Sequence, residues 1–521
     1  MAKDAGMQEA IEKLRERRAQ SRVTAGEHKI AEAHKKGLLT ARERIEVLLD
    51  SGTFCEQYLF AETVSRDFGL DRKRYPGDAA IVGWGDIEGR RVYVTANDSL
   101  VMGGSGASTH IRKLSQTIDQ AVSTGSPFIQ LNDSSGGRIQ EGTDKTSYAG
   151  SVFYSHTQAS GVVPQITAIM GRCAGYAVYG AAMTDFVFIV EGLGEMFITG
   201  PAVIREITGE EISFADLGGA RVCSQVNGAA DFLVASEQEC FQQIRRLLGF
   251  FPSNYRESPP DRPTQDPADR TVPELEDMVP SNPQRAYDIR RVIKKFVDDE
   301  DFMEAKADFA KNIVTGFARM GGQSVGIIAN QPMFLGGALT VDSSDKSARF
   351  LRFCDAFNIP LLFLVDTPGY LPGIQQEHTG IIRHGAKLLY AFCESSVPKV
   401  AVVIRKSYGG GHWAMGGHKS HGTDIIFAWP NAEFAIMGAE QAARILYNRE
   451  LKAAADPAAL LQEKVREYRD LFANPYRQAQ TMCIDDVIEP GETRRRVIQA
   501  FRALKGKWER KLPRRHGNIP L

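Results

Sequence analysis

The chain has 521 residues, more than one hydrophobic core usually accommodates, and its formal net charge is −1. Hydrophobic residues make up 43% of it and charged residues 24%, the ordinary mixture of a globular protein. A charge so close to zero provides no long-range field for nucleic acid or an anionic membrane. The sequence has no transmembrane-length apolar run, no secretory signal and no CxxC pair among its seven cysteines, so we expect a cytoplasmic protein.

Secondary structure is predicted in chain order from the spacing of apolar residues. Residues 1–50 have helical spacing among many charged side chains, and alternation from about 80 to 100 predicts strands. Apolar runs then alternate with helical runs, which is typical of α/β domains. Eight of the 23 prolines lie between Pro252 and Pro283, so we predict a linker at 252–285 between an N-terminal domain, 1–251, and a C-terminal domain, 286–521.

The two halves of the chain resemble each other in sequence. Matching segments, separated by an offset of 233 or 234 residues, are VYVTAN (92–97) with VGIIAN (325–330), SPFIQLND (126–133) with IPLLFLVD (359–366), and VPQITAIMGRCAGY (163–176) with VPKVAVVIRKSYGG (397–410). The matches keep the same order along the chain at a nearly constant offset. We therefore predict two tandem α/β domains that arose by internal duplication.

Each half also contains a glycine-rich bend between an apolar strand and a predicted helix. The bends are MGRCAGYAVYG (170–180) and RKSYGGGHWAMGG (405–417). Glycine permits positive φ and close backbone approach, and peptide N–H groups at such a bend can face a developing negative charge. The pair of bends therefore predicts two oxyanion holes.

Standard catalytic motifs are missing from the sequence. No GxxxxGK[ST], GxSxG or HExxH is present, and no GxGxxG follows a strand, which argues against an ATPase, a serine hydrolase, a zinc peptidase and a Rossmann dehydrogenase. His412, His418 and His421 lack a usual ligand spacing, so no metal site is expected. Asp366 and Glu377 flank a loop rich in glycine and proline, and we interpret them as structural carboxylates that accept local N–H groups.

Several long segments resemble the carboxyltransferase (β) subunits of propionyl-CoA carboxylase and related biotin-dependent acyl-CoA carboxylases. The most specific are DSSDKSARFLRFCDAFNIPLL (342–362) and GIIRHGAKLLYAF (380–392), and shorter ones include SSGGRIQEG (134–142), FITGPAVI (197–204) and AWPNAEFAIMG (428–438). Together the similar segments extend from about residue 40 to residue 490.

This resemblance implies two crotonase-like (ClpP/crotonase) ββα-superhelix domains and a hexamer. It implies transfer of CO2 from carboxybiotin to the α-carbon of a short acyl-CoA, with propionyl-CoA the first candidate. The N-terminal domain would hold acyl-CoA and the C-terminal domain biotin. The chain has no AMKM-like biotinylation motif and no ATP-binding carboxylase domain, so a separate biotin carboxylase and biotin carboxyl carrier partner is expected.

The resemblance also implies the residues of the two sites. The acyl-CoA hole maps to Gly175 and Tyr176, and the biotin hole maps to Gly410 and Gly411. Because CoA carries phosphates, basic residues beside glycine-rich turns become candidate ligands. The predicted residues that bind CoA or biotin are Gly103, Gly104, Arg112, Lys113, Gly136, Gly137, Arg138, Gly369 and Tyr370.

The sequence departs from the family near these sites. Tyr176 stands where relatives usually have glycine, and the run GGGHWAM places His412 and Trp413 where propionyl-specific relatives have an aspartate-containing run. We interpret these three residues as candidates for acyl-group selection, and the opposite interpretation of Tyr176, that only its N–H matters, stays open. Alternatives are another acyl-CoA, a methylmalonyl-CoA decarboxylase complex, and a non-catalytic assembly partner.

Overall fold

The computed structural model describes residues 5–72, 74–509 and 512–521. The chain divides into two compact units, the first ending at Gly249 and including Ser253–Arg256, the second holding Phe250–Pro252 and Glu257–Leu521. The predicted helical character of residues 1–4 lies outside the described residues. In the described part, no helix combines the length and apolar character that crossing a membrane requires.

The first unit alternates strands and helices after three N-terminal helices, as the sequence predicts. Its strands are β1 (Cys55–Gln57), β2 (Ala80–Ile87), β3 (Arg90–Asn97), β4 (Phe128–Ser134), β5 (Gln165–Ala174), β6 (Phe186–Val190), β7 (Glu195–Phe197) and β8 (Phe232–Val234). Its helices are α1 (Ala5–Arg22), α2 (Glu27–Lys35), α3 (Ala41–Leu48), α4 (Ser108–Thr124), α5 (Gly142–Thr146), α6 (Ala149–Ala159), α7 (Tyr176–Met183), α8 (Pro201–Thr208), α9 (Phe214–Gly218) and α10 (Glu237–Leu248).

The second unit repeats this arrangement. Its strands are β9 (Phe302–Ala305), β10 (Ile313–Met320), β11 (Gln323–Asn330), β12 (Leu361–Thr367), β13 (Lys399–Tyr408), β14 (Ile425–Ala428), β15 (Glu433–Ala435) and β16 (Asp486–Val487). Its helices are α11 (Leu275–Met278), α12 (Ile289–Phe296), α13 (Val341–Ala356), α14 (Ile374–His378), α15 (Ile381–Glu394), α16 (Gly409–Ala414), α17 (Ala439–Leu446), α18 (Asn448–Ala453), α19 (Pro457–Leu471), α20 (Pro475–Gln480) and α21 (Thr493–Ala503).

The two sheets have the same strand order. The first runs β1-β2-β3-β4-β5-β6-β8 with β7 paired to β5, and the second runs β9-β10-β11-β12-β13-β14-β16 with β15 paired to β13. In each, the first three strands pair antiparallel and the later ones parallel. Both central parallel pairs change register at equivalent places, between Asn132 and Ser134 and between Val365 and Thr367. The predicted duplicated α/β fold is confirmed.

The central parallel strands form the interior of each unit. β12 is buried at every position and β4 at all but one, because helices cover both faces of a parallel sheet. Such strands read as near-continuous apolar runs rather than alternating ones, which is the pattern of FIQLN and LLFLV in the sequence. The carboxyl ends of these strands carry the glycine-rich bends, so the sheet fixes where the bends lie.

The proline-rich segment after residue 257 packs on the second unit. Leu275 and Val279 are buried in the apolar core of that unit. The Arg405 guanidinium donates to the carbonyl oxygens of Pro280 and Asn282, both at 3.2 Å, and of Arg285 at 2.8 Å. Prolines prevent regular backbone pairing here, and a buried arginine satisfies the carbonyl groups instead.

Candidate active site

The first predicted bend joins β5 to α7 in the first unit. Gly175 has φ +59 and ψ −127, a backbone conformation that residues with a Cβ rarely adopt, and α7 begins at the next residue, Tyr176. The first N–H groups of a helix have no acceptor within it and lie at the positive end of its dipole. A Cβ on Gly175 would lie 3.6 Å from the Gly136 Cα and 4.0 Å from the Gly137 nitrogen. The structure therefore brings these four predicted residues together.

The turn at Gly103 and Gly104 lies beside the same bend. Both residues have positive φ, and a Cβ on Gly104 would lie only 2.2 Å from the Asp133 carbonyl oxygen. The N–H of Gly106 donates to the Gly136 carbonyl oxygen at 2.9 Å, which joins the two glycine loops. Close backbone approach explains why this segment uses glycine.

The second predicted bend joins β13 to α16 in the second unit. Gly409 has φ +52, and Gly410 and Gly411 follow in the first turn of α16. A Cβ on Gly411 would lie 2.9 Å from the Gly369 Cα, and a Cβ on Gly410 would lie 3.1 Å from the Tyr370 ring. The predicted biotin-side residues are thus neighbours within this unit.

The second unit contains a glycine turn that the sequence reasoning missed. Gly336 and Gly337 have positive φ, and a Cβ on Gly337 would lie 2.4 Å from the Asp366 carbonyl oxygen. This is the counterpart of the contact between Gly104 and Asp133. The signal was present in the sequence, because LGG at 335–337 matches MGG at 102–104 at the offset of 233.

The basic residues predicted to contact CoA phosphates have different surroundings. The Lys113 ammonium is buried and donates to the carbonyl oxygens of Gly77, at 2.7 Å, and Ala80, and burial lowers its pKa to about 8. Arg112 is exposed on α4. Contact of Lys113 and Arg112 with CoA stays a prediction, and the geometry gives Lys113 a role in holding the segment before β2.

Arg138 lies at the centre of a buried charge network. Its Nη1 contacts Asp78 Oδ1 at 2.6 Å and Glu141 Oε1 at 2.7 Å, and its Nη2 donates to the Ser105 carbonyl oxygen at 2.7 Å. All of the arginine and glutamate side-chain surface is removed from solvent. The guanidinium therefore ties the Gly103–Gly106 loop to the loop after β4, and a direct contact with CoA stays a prediction.

Of the two carboxylates predicted to be structural, Asp366 has surroundings that fit such a role. Asp366 is buried and pairs with the Arg405 Nε at 2.9 Å, and it accepts the Lys406 N–H at 3.2 Å. Glu377 is exposed on α14. The Arg405 partner could not be predicted from the sequence, because 39 residues separate it from Asp366.

The histidines after the second bend are engaged in local hydrogen bonds. His412 Nδ1 and the Ser407 hydroxyl are 2.8 Å apart, His421 Nε2 lies 2.7 Å from the Trp413 carbonyl oxygen, and the Ser420 N–H donates to His418 Nδ1 at 3.0 Å. Over the described residues, no group of three His, Cys, Asp or Glu side chains has the arrangement of a metal site.

A cavity of about 650 Å³ opens beside the second bend. Trp413, which is 52% exposed, forms part of its wall, and the polar side chains of Arg477, Gln478 and Thr481 also line it. The lining includes Gly409, Gly410, His412, Phe434, Ile436 and Phe472. Its size suits a small organic ligand, and its lining combines aromatic and aliphatic side chains with polar groups that could orient such a ligand.

Comparison with known proteins identifies the family. The model of the carboxyl transferase domain matches residues 32–519, nearly the whole chain. The chain belongs to the carboxyl transferase family, and it is a carboxyltransferase. The family resemblance predicted from the sequence is confirmed.

Relatives of this carboxyltransferase include proteins of two named activities. It is 49% identical over 515 residues to the carboxyltransferase subunit of propionyl-CoA carboxylase from Haloferax mediterranei, which covers 99% of this chain and 100% of the relative. It is 46% identical over 511 residues to the α subunit of methylmalonyl-CoA decarboxylase from Propionigenium modestum, covering 98% and 99%. The first of these relatives is named for a carboxylation and the second for a decarboxylation.

A solved structure shares the fold of this carboxyltransferase. The crystal structure of transcarboxylase 12S, a hexamer with hydrolysed methylmalonyl-coenzyme A bound, matches with a TM-score of 0.96 and 43% sequence identity, over 99% of this chain and 100% of that one. The predicted tandem crotonase-like architecture is therefore confirmed. The individual site residues stay predictions.

His412 gives this carboxyltransferase a testable pH dependence. Burial lowers the pKa of His412 to about 4, and His418 and His421 add to the effect. In the unfolded chain this histidine has an ordinary pKa near 6.5. Between about pH 6.5 and pH 4 it is therefore protonated in the unfolded chain and neutral in the folded one. The free energy of unfolding consequently falls as pH falls through this window. We expect His412→Gln to reduce this loss by on the order of 1 kcal/mol, since the ring is only partly buried.

Chemical unfolding of both proteins at about pH 7.5 and about pH 5 measures the effect. The wild type should lose more stability than His412→Gln between the two conditions. An equal loss would contradict a depressed pKa at this position.

Proposed function

We propose that this chain is the carboxyltransferase subunit of a biotin-dependent acyl-CoA carboxylase, and that it transfers CO2 from carboxybiotin to the α-carbon of propionyl-CoA. The observation that carries the proposal is the pair of equivalent glycine bends, at Gly175-Tyr176 and at Gly410-Gly411, one in each unit. Each places peptide N–H groups of a first helical turn beside a second glycine loop. Relatives named for propionyl-CoA carboxylase support the choice of acyl group.

The bends fit the chemistry because both reacting partners develop an oxyanion. In the first unit, the N–H of Tyr176 would stabilise negative charge on the thioester oxygen of acyl-CoA while the α-carbon loses its proton. In the second unit, the N–H groups of Gly410 and Gly411 would stabilise charge on the ureido oxygen of biotin. Removal of one such donor usually lowers the rate about 10²–10³-fold.

Biotin fits the second bend in chemical terms. When bound, carboxybiotin supplies the CO2 and a nitrogen that accepts the α-proton. The absence of side chains at Gly410 and Gly411 lets this turn pack closely against Tyr370 and Gly369, and the cavity of about 650 Å³ opens at Gly409 and Gly410. Phe434, Ile436 and Phe472 would cover part of the ligand, while the polar groups of the lining could contact its polar atoms.

The partners follow from the proposed reaction. Transfer from carboxybiotin requires a biotin-bearing group and a source of its carboxylation, so we propose that a biotin carboxylase and a biotin carboxyl carrier act with this chain. We also propose a hexamer, as in the transcarboxylase 12S structure. Several large apolar side chains of the second unit are exposed, which suits burial between subunits: Ile436, Ile445, Leu446, Leu471 and Phe472.

A second candidate is the carboxyltransferase subunit of a methylmalonyl-CoA decarboxylase complex. The 46% identity with such a subunit from Propionigenium modestum favours it, because this value is close to that of the carboxylase relative. The same two bends would serve the reverse transfer, since a catalyst lowers the barrier in both directions.

The test combines the purified chain with an excess of biotin carboxylase and biotin carrier subunits from its own source. ATP-dependent fixation of labelled bicarbonate is then measured on acetyl-, propionyl-, butyryl- and methylcrotonyl-CoA. The highest kcat/KM on propionyl-CoA is expected. Fixation on none of them, by a chain that still binds CoA, would contradict the carboxylase. Net release of free CO2 from methylmalonyl-CoA through the biotin carrier, without ATP, would then support the decarboxylase.

A further inference from the structure

Tyr176 occupies an unusual position beside the first bend. Its ring packs against the apolar cluster that α4, α6 and neighbouring strands form. A Cβ on Gly106 would lie 2.1 Å from the Tyr176 hydroxyl oxygen, so the hydroxyl fills the space where Gly106 has no side chain. The hydroxyl is buried, and it has no hydrogen-bond partner among the residues that the structure describes. The side chain therefore points into the first unit, and the rest of its surface is partly exposed.

The equivalent positions in the second unit have different residues from those around Tyr176. In the first unit Gly106 bridges to Gly137, and at the offset of 233 the second unit has a bridge between Leu339 and Tyr370. Tyr176 itself corresponds to Gly410 at the offset of 234. In the first unit the aromatic residue is at the bend and the two bridge residues are glycines. In the second unit the glycine is at the bend, and the bridge residues are leucine and tyrosine.

Each unit consequently packs a tyrosine ring against a glycine beside its bend, but the two rings come from opposite sides. In the second unit the Tyr370 ring lies over Gly410, and its hydroxyl donates to the Gly385 carbonyl oxygen at 3.3 Å. In the first unit the ring comes from the bend itself and faces Gly106. Tyr370 is tied by a hydrogen bond, while packing alone holds Tyr176 in the described structure.

We propose that Tyr176 is the residue that restricts the first site to short acyl groups, its ring filling the space above Gly106 that a longer acyl chain would enter. The inference rests on the proposed function, because it takes the Tyr176 N–H as the group that faces the thioester oxygen. The ring belongs to the same residue as that N–H, and the part of it that is not buried would border the carbons of an acyl group bound there. Its packing on the core and its close fit to Gly106 prevent it from moving aside without loss of contacts.

The test compares Tyr176→Gly and Tyr176→Leu with the ring-retaining control Tyr176→Phe. Propionyl-CoA and hexanoyl-CoA are the two substrates, and the readout is the ratio of their kcat/KM values. A methylene group in an apolar pocket changes this ratio about 10–200-fold, so Tyr176→Gly should shift it at least about tenfold toward hexanoyl-CoA. Tyr176→Leu should shift it in the same direction by less, and Tyr176→Phe should leave it within about twofold.

Binding of the two acyl-CoAs without biotin partners, by titration calorimetry, separates the inference from the proposed function. A wild type that binds propionyl-CoA but carboxylates no acyl-CoA contradicts the function alone. Folded glycine and leucine variants with unchanged selectivity in both assays contradict the inference. A Tyr176→Phe variant whose selectivity shifts as far as that of Tyr176→Leu would also overturn it, since the hydroxyl rather than the ring would then restrict the acyl group. Removal of an unpaired buried hydroxyl should leave the melting temperature unchanged or raised.

Discussion

Tyr176→Pro is expected to lower the kcat of carboxyl transfer about 100–1000-fold relative to Tyr176→Ala. Both variants lack the aromatic ring, but only proline lacks the backbone N–H. Tyr176 is the first residue of α7, after Gly175 as N-cap. Proline is tolerated at that position, because the first N–H of a helix has no acceptor within the helix and the fixed φ of proline suits it. The helix should therefore persist while the proposed donor to the thioester oxygen is lost.

The comparison of the two variants is the measurement, with circular dichroism and a melting curve as checks of folding. A donor that acts mainly on the developing oxyanion affects kcat more than KM. Equal kcat values for the proline and alanine variants, with both folded, would remove the Tyr176 N–H from the proposed hole. A change confined to KM would instead indicate a role in ground-state binding.

Arg138→Met is expected to destabilise the first unit by about 3–5 kcal/mol. The substitution keeps an unbranched apolar stem but leaves the carboxylates of Asp78 and Glu141 without their common partner. It also leaves the Ser105 carbonyl oxygen without a donor that now lies at 2.7 Å. Uncompensated buried charges cost far more than the net contribution of an intact pair, so the loss should be large.

Arg112→Met provides the matched control, because it removes an exposed arginine from the helix that carries Lys113. Exposed substitutions usually change stability by less than about 0.5 kcal/mol. Chemical unfolding and the KM for acyl-CoA are measured for both variants. An Arg138→Met protein of wild-type stability with a raised KM would show that this guanidinium serves CoA rather than the loops.

The local backbone features of both sites could be predicted from sequence. Glycine is the residue type that adopts positive φ readily, so the bends at Gly175 and at Gly409-Gly411 were visible as glycines after apolar strands. The offset of 233 then related one half to the other, and it would also have located Gly336 and Gly337. These features depend on neighbouring residues, which the sequence presents directly.

Side-chain partners from distant segments could not be predicted in this way. Sixty residues separate Arg138 from Asp78, and no feature of the sequence indicated the buried ion network to which this guanidinium belongs. The same holds for Arg405, whose partners include Asp366 and carbonyl groups of the proline-rich segment more than a hundred residues away. The residue type of a charged side chain does not reveal whether it contacts solvent, a ligand or a buried counter-ion.

The duplicated α/β fold, the two glycine bends and the family could all be predicted from the sequence, because strand periodicity, glycine conformation and long matching segments are visible along the chain. The direction of the Tyr176 side chain could not, since it depends on the missing side chain of Gly106, 70 residues earlier in the chain. The same is true of the contacts that Arg138 and Lys113 make inside the first unit. Packing and burial set these roles, and both arise only when distant segments meet.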